Sequence, residues 1–335
     1  MTVRRSALIA TIRGKRMKRF SVLITVLATI LAGFALAQSK LQTGDANKRG
    51  LTDKDFPQLI KLADNVYAFS MLRGVTPGTN NERFTTNSLI VVTTDGVLVA
   101  DGQGSPPETA QLVEHIKKLT SQPIKYYVMG SEHGDHTGGN VSFPATTTFI
   151  SHPAAKANLE RQANAPNRAP TAPKIIVPTE TVSDKRVLAM GKTEIQILNL
   201  GRAHTGSDLV VYLPKEKVLF MSEVYFHRLF PALRSGYPSE WIAAVKKAEA
   251  MDVSYYVPAH GFVDDATTMK TELAEFRKAL ETVVSEAKRL YKPGASAEEA
   301  FKQANFGPYA SWESYAPMAQ PSFVRVWDEL DGKLK

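Results

Sequence analysis

The sequence predicts an α+β chain in which two β-sheets pack face to face with helices outside, in one domain. Three observations carry this. Short apolar runs bounded by Gly, Asp, Asn and Pro recur from about Leu59 to Phe220, as strands do. They fall into two groups, divided near a Pro/Ala-rich stretch at 161–174. Amphipathic helical stretches accompany each group, and no repeat occurs at solenoid periods. A chain of 335 residues that is 43% hydrophobic and 22% charged has ample material for a core.

The first 37 residues read as a secretory signal. They hold seven Lys or Arg and no acid, and without them the formal charge of +8 falls to +1. The basic residues end at Arg19, an uncharged apolar run follows to Ala37, and Ala35-Leu36-Ala37 has the small-x-small pattern of a cleavage site. The run is near the lower limit of the ~17–25 residues that span a bilayer, which favours a cleaved signal over an anchor. Met17-Lys18-Arg19-Phe20 would itself open a normal signal. The expected location is therefore periplasmic or secreted, with membrane contact only through this segment. Nothing in the nearly neutral body forms the concentrated basic patch that nucleic acid requires.

Residues 38–55 are polar and read as a flexible lead-in, with the folded domain over 56–335. Strand patterns follow at Val66–Phe69, Asn87–Val92 and Val97–Ala100, the last two joined by a Thr94-Asp95-Gly96 turn. Arg73 to Arg83 is a loop or hairpin tip. Pro107 to Leu119 has helical spacing, and Ile124–Met129 and Thr147–Ile150 are short strands. The Pro/Ala stretch is a lid or surface excursion. Beyond it, strands are expected at Ile175–Val177, Arg186–Leu188, Glu194–Leu198, Leu209–Leu213, Val218–Phe220 and Tyr255–Val257. Helices are expected at Ser239–Ala250, with Ser239 as its cap, at Ala266–Tyr291, and near 296–304 and 321–331.

Cysteine is absent, so any metal chemistry rests on His, Asp and Glu. Of seven histidines, His115, His152 and His227 stand alone. The other four each follow a strand within a short polar or glycine-rich turn: His133 and His136 in Gly130-Ser131-Glu132-His133-Gly134-Asp135-His136-Thr137-Gly138-Gly139, His204 in Gly201-Arg202-Ala203-His204-Thr205, and His260 in Pro258-Ala259-His260-Gly261. A strand end fixes the backbone, and a loop lets side chains from distant positions converge. Imidazole and carboxylate together suit zinc and similar divalent ions.

These segments resemble, in chain order, the motifs of the metallo-β-lactamase superfamily. The first is similar to its His-x-His-x-Asp-His motif, with Ser131 where the first His stands. His204 and His260 match its later histidines, and Asp101 its early structural Asp. The resemblance runs from about Asn65 to Gly261 and implies a four-layer αββα sandwich with metal at one edge of the sheets. It implies that His133 and His204 serve one ion, and that Asp135, His136 and His260 serve a second. Glu223, in Phe220-Met221-Ser222-Glu223, stands where the family has a bridging Asp. The second set keeps its three main ligands and is expected to fill first. A water, Glu223 or Glu132 would complete the first, and a rise in metal content and activity on replacing Ser131 by His would mark the missing imidazole as a real deficit.

The resemblance implies a hydrolase with one or two zinc ions, iron being the alternative. Metal lowers the pKa of water to roughly 7, and the hydroxide attacks a carbonyl. Asp135 would orient or deprotonate that water. The substrate is expected to be a small ester, lactone, thioester or amide, a β-lactam among them, although Arg228 is the only nearby cation to hold a β-lactam carboxylate. The competing readings are a non-catalytic metal- or ligand-binding protein, which the Ser131 and Glu223 departures allow, and redox use of bound iron. Asp208 reads as a loop hydrogen-bonder, and Tyr225, Phe226 and Phe230 as core.

Overall fold

The structure, a computed structural model, describes residues 42–74, 81–169 and 171–334. The signal read at 1–37 and the tip of the loop between Arg73 and Arg83 lie outside the described residues. Seven strands form the first sheet. An antiparallel run of β1 (Gln58–Ala63), β2 (Val66–Leu72), β3 (Thr85–Thr93) and β4 (Gly96–Ala100) is extended in parallel by β5 (Ile124–Val128), β6 (Thr148–Ser151) and β7 (Glu180–Thr181). Parallel neighbours need crossovers. These are α1 (Pro106–Leu119), a one-turn α2 (Gly134–Thr137) and α3 (Pro153–Ala163).

Five strands form the second sheet: β8 (Lys185–Met190), β9 (Thr193–Leu198), β10 (Val210–Leu213) and β11 (Val218–Phe220), all antiparallel, then β12 (Tyr255–Val257) parallel to β11. The crossover to β12 is α4 (Pro238–Glu249), and α5 (Ala266–Leu290), α6 (Ala297–Phe301) and α7 (Tyr315–Leu330) complete the chain.

Strand residues alternate between two buried faces, which is what makes four layers. Leu89, Val91, Leu98 and Ala100 meet Val211, Leu213, Phe220 and Val257 between the sheets. Ile90, Val97 and Val99 point the other way, onto Leu112 and Ile116 of α1. On the far side, Val210, Tyr212, Leu219 and Tyr256 carry α4, α5 and α7 through Trp241, Phe276 and Phe323. The order is αββα, within one unit, Thr43–Lys335.

Several local expectations are corrected. No strand forms at Ile175–Val177, and β7 comes after it at Glu180–Thr181. Ser239 does not cap α4. That helix starts at Pro238 after Tyr237, and the Ser239 hydroxyl donates to Glu329 instead. The last helix begins at Tyr315 and contains Pro321. The lead-in is packed from Thr43 onward: Thr43, Gly44, Asp45 and Ala46 are buried. The Thr43 hydroxyl and the Gly44 N–H donate to the buried Glu313 carboxylate, at 2.5 and 3.0 Å. Arg49 holds Asp264 through two 2.8 Å bonds and lies 4.0 Å from the centre of the Phe262 ring. Its polar residues are used as hydrogen-bonding partners.

Candidate metal centre

The six residues singled out above meet at one edge of the sandwich. His133, Asp135 and His136 follow β5 of the first sheet. His204 lies between β9 and β10, Glu223 in the 3-10 turn Ser222–Val224 after β11, and His260 just after β12. Parallel strands end side by side, so the turns after β11 and β12 open at the same edge.

Close packing fixes the turns. A Cβ on Gly138 would lie 2.2 Å from the Gly104 carbonyl oxygen, and one on Gly139 2.0 Å from Thr109 Oγ1, so the turn of α2 presses against the loop after β4 only with glycine there. Gly261 has φ +85° and faces the His227 carbonyl, which sets His260 beside it. Asp101, buried at the end of β4, accepts a 2.7 Å bond from Gly130 N–H and one from the Ser222 hydroxyl, tying the two sheets' turns together. The oxygen that accepts from Ser222 also lies 3.2 Å from His136 Nδ1, and His136 Nε2 faces the cluster.

The donor atoms form two groups. Asp135 Oδ2, His136 Nε2, Glu223 Oε1 and His260 Nε2 make the first. Asp135 lies 3.5 Å from His136 and 3.1 Å from His260, the two imidazoles are 3.4 Å apart, and Glu223 lies 3.7 and 3.5 Å from them. Five of the six donor–donor distances are thus 3.1–3.7 Å, the edge lengths of a tetrahedron whose centre lies about 2.1 Å from each corner, a zinc–nitrogen or zinc–oxygen bond length. The second group is His133, His204 and Glu223. Here His133 Nδ1 lies 2.8 Å from Glu223 Oε2 and 3.2 Å from His204 Nε2, which is 3.4 Å from Glu223 Oε1. Three converging donors leave a fourth position open, as catalytic zinc sites do. The donor set therefore fits divalent ions, with Glu223 common to both groups.

The charges are those of a site built for cations. Burial opposes ionisation of Glu223, but His204 and His133 outweigh it and hold the carboxyl well below its usual range. Burial likewise opposes charge on His133, yet Glu223 beside it raises that imidazole to about 9. His204 is lowered to about 4, because burial there exceeds the pull of Glu223. For Asp135, burial is overcome by His136 and by the hydrogen bond from His260, which keep it ionised.

Other candidates fall outside the cluster. Ser131 is buried and donates from Oγ to Glu223 Oε2. Glu132 turns away, accepting from Ser207 and, at 2.8 Å, from Asn158, so it completes neither group. His227 bonds the Phe262 carbonyl at 2.7 Å in the core, His115 that of Gln111, and His152 caps α3. Asp208 accepts from Thr205 N–H, and burial pushes it up to about 7. Tyr225 is core, whereas Phe226 and Phe230 also line the cavity over the cluster. Arg228 is engaged by the buried Glu272.

The sequence reading missed two cations. Arg73 donates to Asp135 Oδ2 at 2.9 Å, and Arg234 lies on the wall of a cavity of about 470 Å³ above the donors. Neither belongs to a motif, and only the fold brings them there.

A sequence model of the Metallo-beta-lactamase superfamily matches residues 81–260. The chain is 22% identical to a metallo-beta-lactamase type 2 of Elizabethkingia meningoseptica over 64% of its own length and 82% of that protein. It is 21% identical to a linear primary-alkylsulfatase of a Pseudomonas strain, over 69% of its length but only 52% of that protein. Among solved structures it resembles a metallo-beta-lactamase from Pontibacter korlensis with TM-score 0.57 and 20% identity, covering 67% of this chain and 98% of that one. A DIM-1 metallo-beta-lactamase exposed to ceftazidime matches at TM-score 0.53 and 19% identity, over 67% of this chain and 96% of that one.

Proposed function

Because the chain belongs to the metallo-beta-lactamase superfamily, we propose that it is an exported metal-dependent hydrolase, periplasmic or secreted, that adds water to a small ester, lactone, thioester or amide. The observation that carries the reading is the pair of donor groups sharing Glu223 at one edge of the sheets. His133, His204 and Glu223 would hold one ion, and Asp135, His136, Glu223 and His260 another. Nitrogen and oxygen donors without thiolate favour zinc and also admit iron.

A divalent ion there supplies an acidified water and a centre that draws charge from a carbonyl oxygen. The chain's own residues do the rest. Asp101 lies beside His136 Nδ1, so its charge sits behind the imidazole whose Nε2 faces the cluster. Arg73 donates to Asp135 Oδ2, the same oxygen that faces His136 and His260. Against the cost of burial, His136 and the hydrogen bond from His260 keep Asp135 ionised, a state that suits a ligand or an orienter of water more than a store for protons. The rings of Phe84 and Phe226, centred 5.4 Å from that of His260, keep bulk water from one side. With Arg228 bound to Glu272, a β-lactam carboxylate would have to be held by another cation.

The test joins metal content by mass spectrometry to hydrolysis of chromogenic esters, lactones and cephalosporins, with and without chelator. Up to two ions per chain, and activity lost on chelation and restored by zinc, are the expected result. A folded, metal-free and inert protein would leave the non-catalytic binding role in its place.

A further inference from the structure

The wall of the cavity above the donors is ordered along the chain. Phe226 packs directly on the cluster, its ring 5.2 Å from that of His204. Leu229 and Phe230 follow, still buried, then the half-buried Ala232, and the wall ends at Arg234, which is exposed. Between the ring on the donors and the exposed guanidinium, the lining from this segment is apolar: Leu229, Phe230 and Ala232.

Met318 of α7 completes the apolar side. It lies beyond the segment 81–260 shared with the superfamily, so this part of the cavity belongs to the chain's own C-terminal helices. Methionine adapts its shape to chains of varied form. The charges are one-sided as well. Both carboxylates lining this cavity, Asp135 and Glu223, are in the donor groups, and Arg73 is bonded to Asp135. Among the described residues, no carboxylate is bonded to Arg234.

We propose that this cavity takes a substrate with three parts in line: a hydrolysable acyl group at the donors, an apolar spacer along Phe226, Leu229, Phe230 and Met318, and a distal anion at Arg234. This rests on the metal-dependent reading above and narrows it to acyl compounds with a terminal negative charge. Water adds across the acyl bond, one product leaving as the acid with its proton and the other as the alcohol, thiol or amine, and no further reactant is needed. A compact substrate whose anion sits beside its scissile bond leaves Arg234 unused.

Binding tests this without turnover. Zinc-loaded wild type and Arg234→Glu are titrated calorimetrically with octanedioate, octanoate, butanedioate and butanoate. Octanoate should exceed butanoate by at least about tenfold, as buried methylenes require. Octanedioate should exceed octanoate by about fivefold in wild type, the upper range for an exposed ion pair, with the gain lost in Arg234→Glu and weakened by salt. If the distal anion requires the apolar spacer, butanedioate should show no Arg234-dependent gain. Equal binding of octanoate and octanedioate, or a preference that survives Arg234→Glu, overturns the proposal. Chelator-sensitive ester hydrolysis on the same preparation reads the parent reading separately. Hydrolysis without Arg234-dependent binding removes only the distal-anion subsite, whereas Arg234-dependent binding without hydrolysis removes only the enzyme.

Discussion

Ser131 and Glu223 touch each other, and that contact changes what each substitution means. Taken singly, a serine in place of an imidazole removes a ligand, and a glutamate in place of an aspartate is one methylene too long. In the fold, the Ser131 hydroxyl donates to Glu223 Oε2, and the same oxygen lies 2.8 Å from His133 Nδ1. The short side chain leaves room that the longer carboxylate uses. An imidazole at position 131 would compete for that room. Ser131→His alone should therefore weaken zinc binding by roughly tenfold or more, the usual effect of disturbing a ligand's support, contrary to the gain that a missing imidazole would imply. Ser131→His combined with Glu223→Asp should recover two ions per chain. Mass spectrometry and zinc competition titration read both variants. A gain in metal from the single substitution would show that the two positions are independent.

At the scale of elements, the N-terminal strap and the C-terminal helices form one assembly. Glu313 is buried and accepts from Thr43, Gly44 and Lys48, while its neighbour Ser314 lines the cavity. Glu313→Ala leaves the Gly44 N–H without a partner, and should lower the unfolding free energy by about 2 kcal/mol. Chemical denaturation measures this. An unchanged midpoint would mean that the strap contributes nothing. The strap also shows where sequence reading ends. The six donors are legible because each sits in a short turn after a strand, and the turns of His133, Asp135, His136 and His260 carry glycines that close packing demands. The layers are legible from alternating apolar runs. The strap and Arg73 are not, since their partners lie far off in sequence, 269 residues away for Gly44 and Glu313, and only the fold puts Arg234 on the cavity wall. Polar composition reads the same in a free linker and in a segment that satisfies a buried carboxylate. The absent strand at Ile175–Val177 is the reverse case: an apolar run with the right local pattern that the fold does not pair.

At the scale of the whole molecule, the donors come from both sheets, so an ion bound to them would act as a staple. His133, Asp135 and His136 belong to the first sheet's edge, and His204, Glu223 and His260 to the second's. Without an ion, this edge is held by Asp101, through Gly130 and Ser222, by Thr85 and Asn87, which bond the turn from Pro258 to Gly261, and by hydrogen bonds among the donors themselves. The opposite edge and the three apolar interfaces owe nothing to metal. Chelation should therefore loosen the molecule locally before it unfolds it. Zinc at a hundredfold excess over its dissociation constant adds about 2.7 kcal/mol to stability for one site. Hydrogen exchange in the chelated protein should accelerate within 130–139, 201–208 and 222–227 and around His260, while the centres of β3, β4 and β10 keep their protection. Restoring zinc should reverse the change at all four segments together, because one cluster joins them. Uniform acceleration across both sheets would mean that metal supports the entire fold, and no acceleration would mean that the imidazoles and carboxylates hold that edge without it.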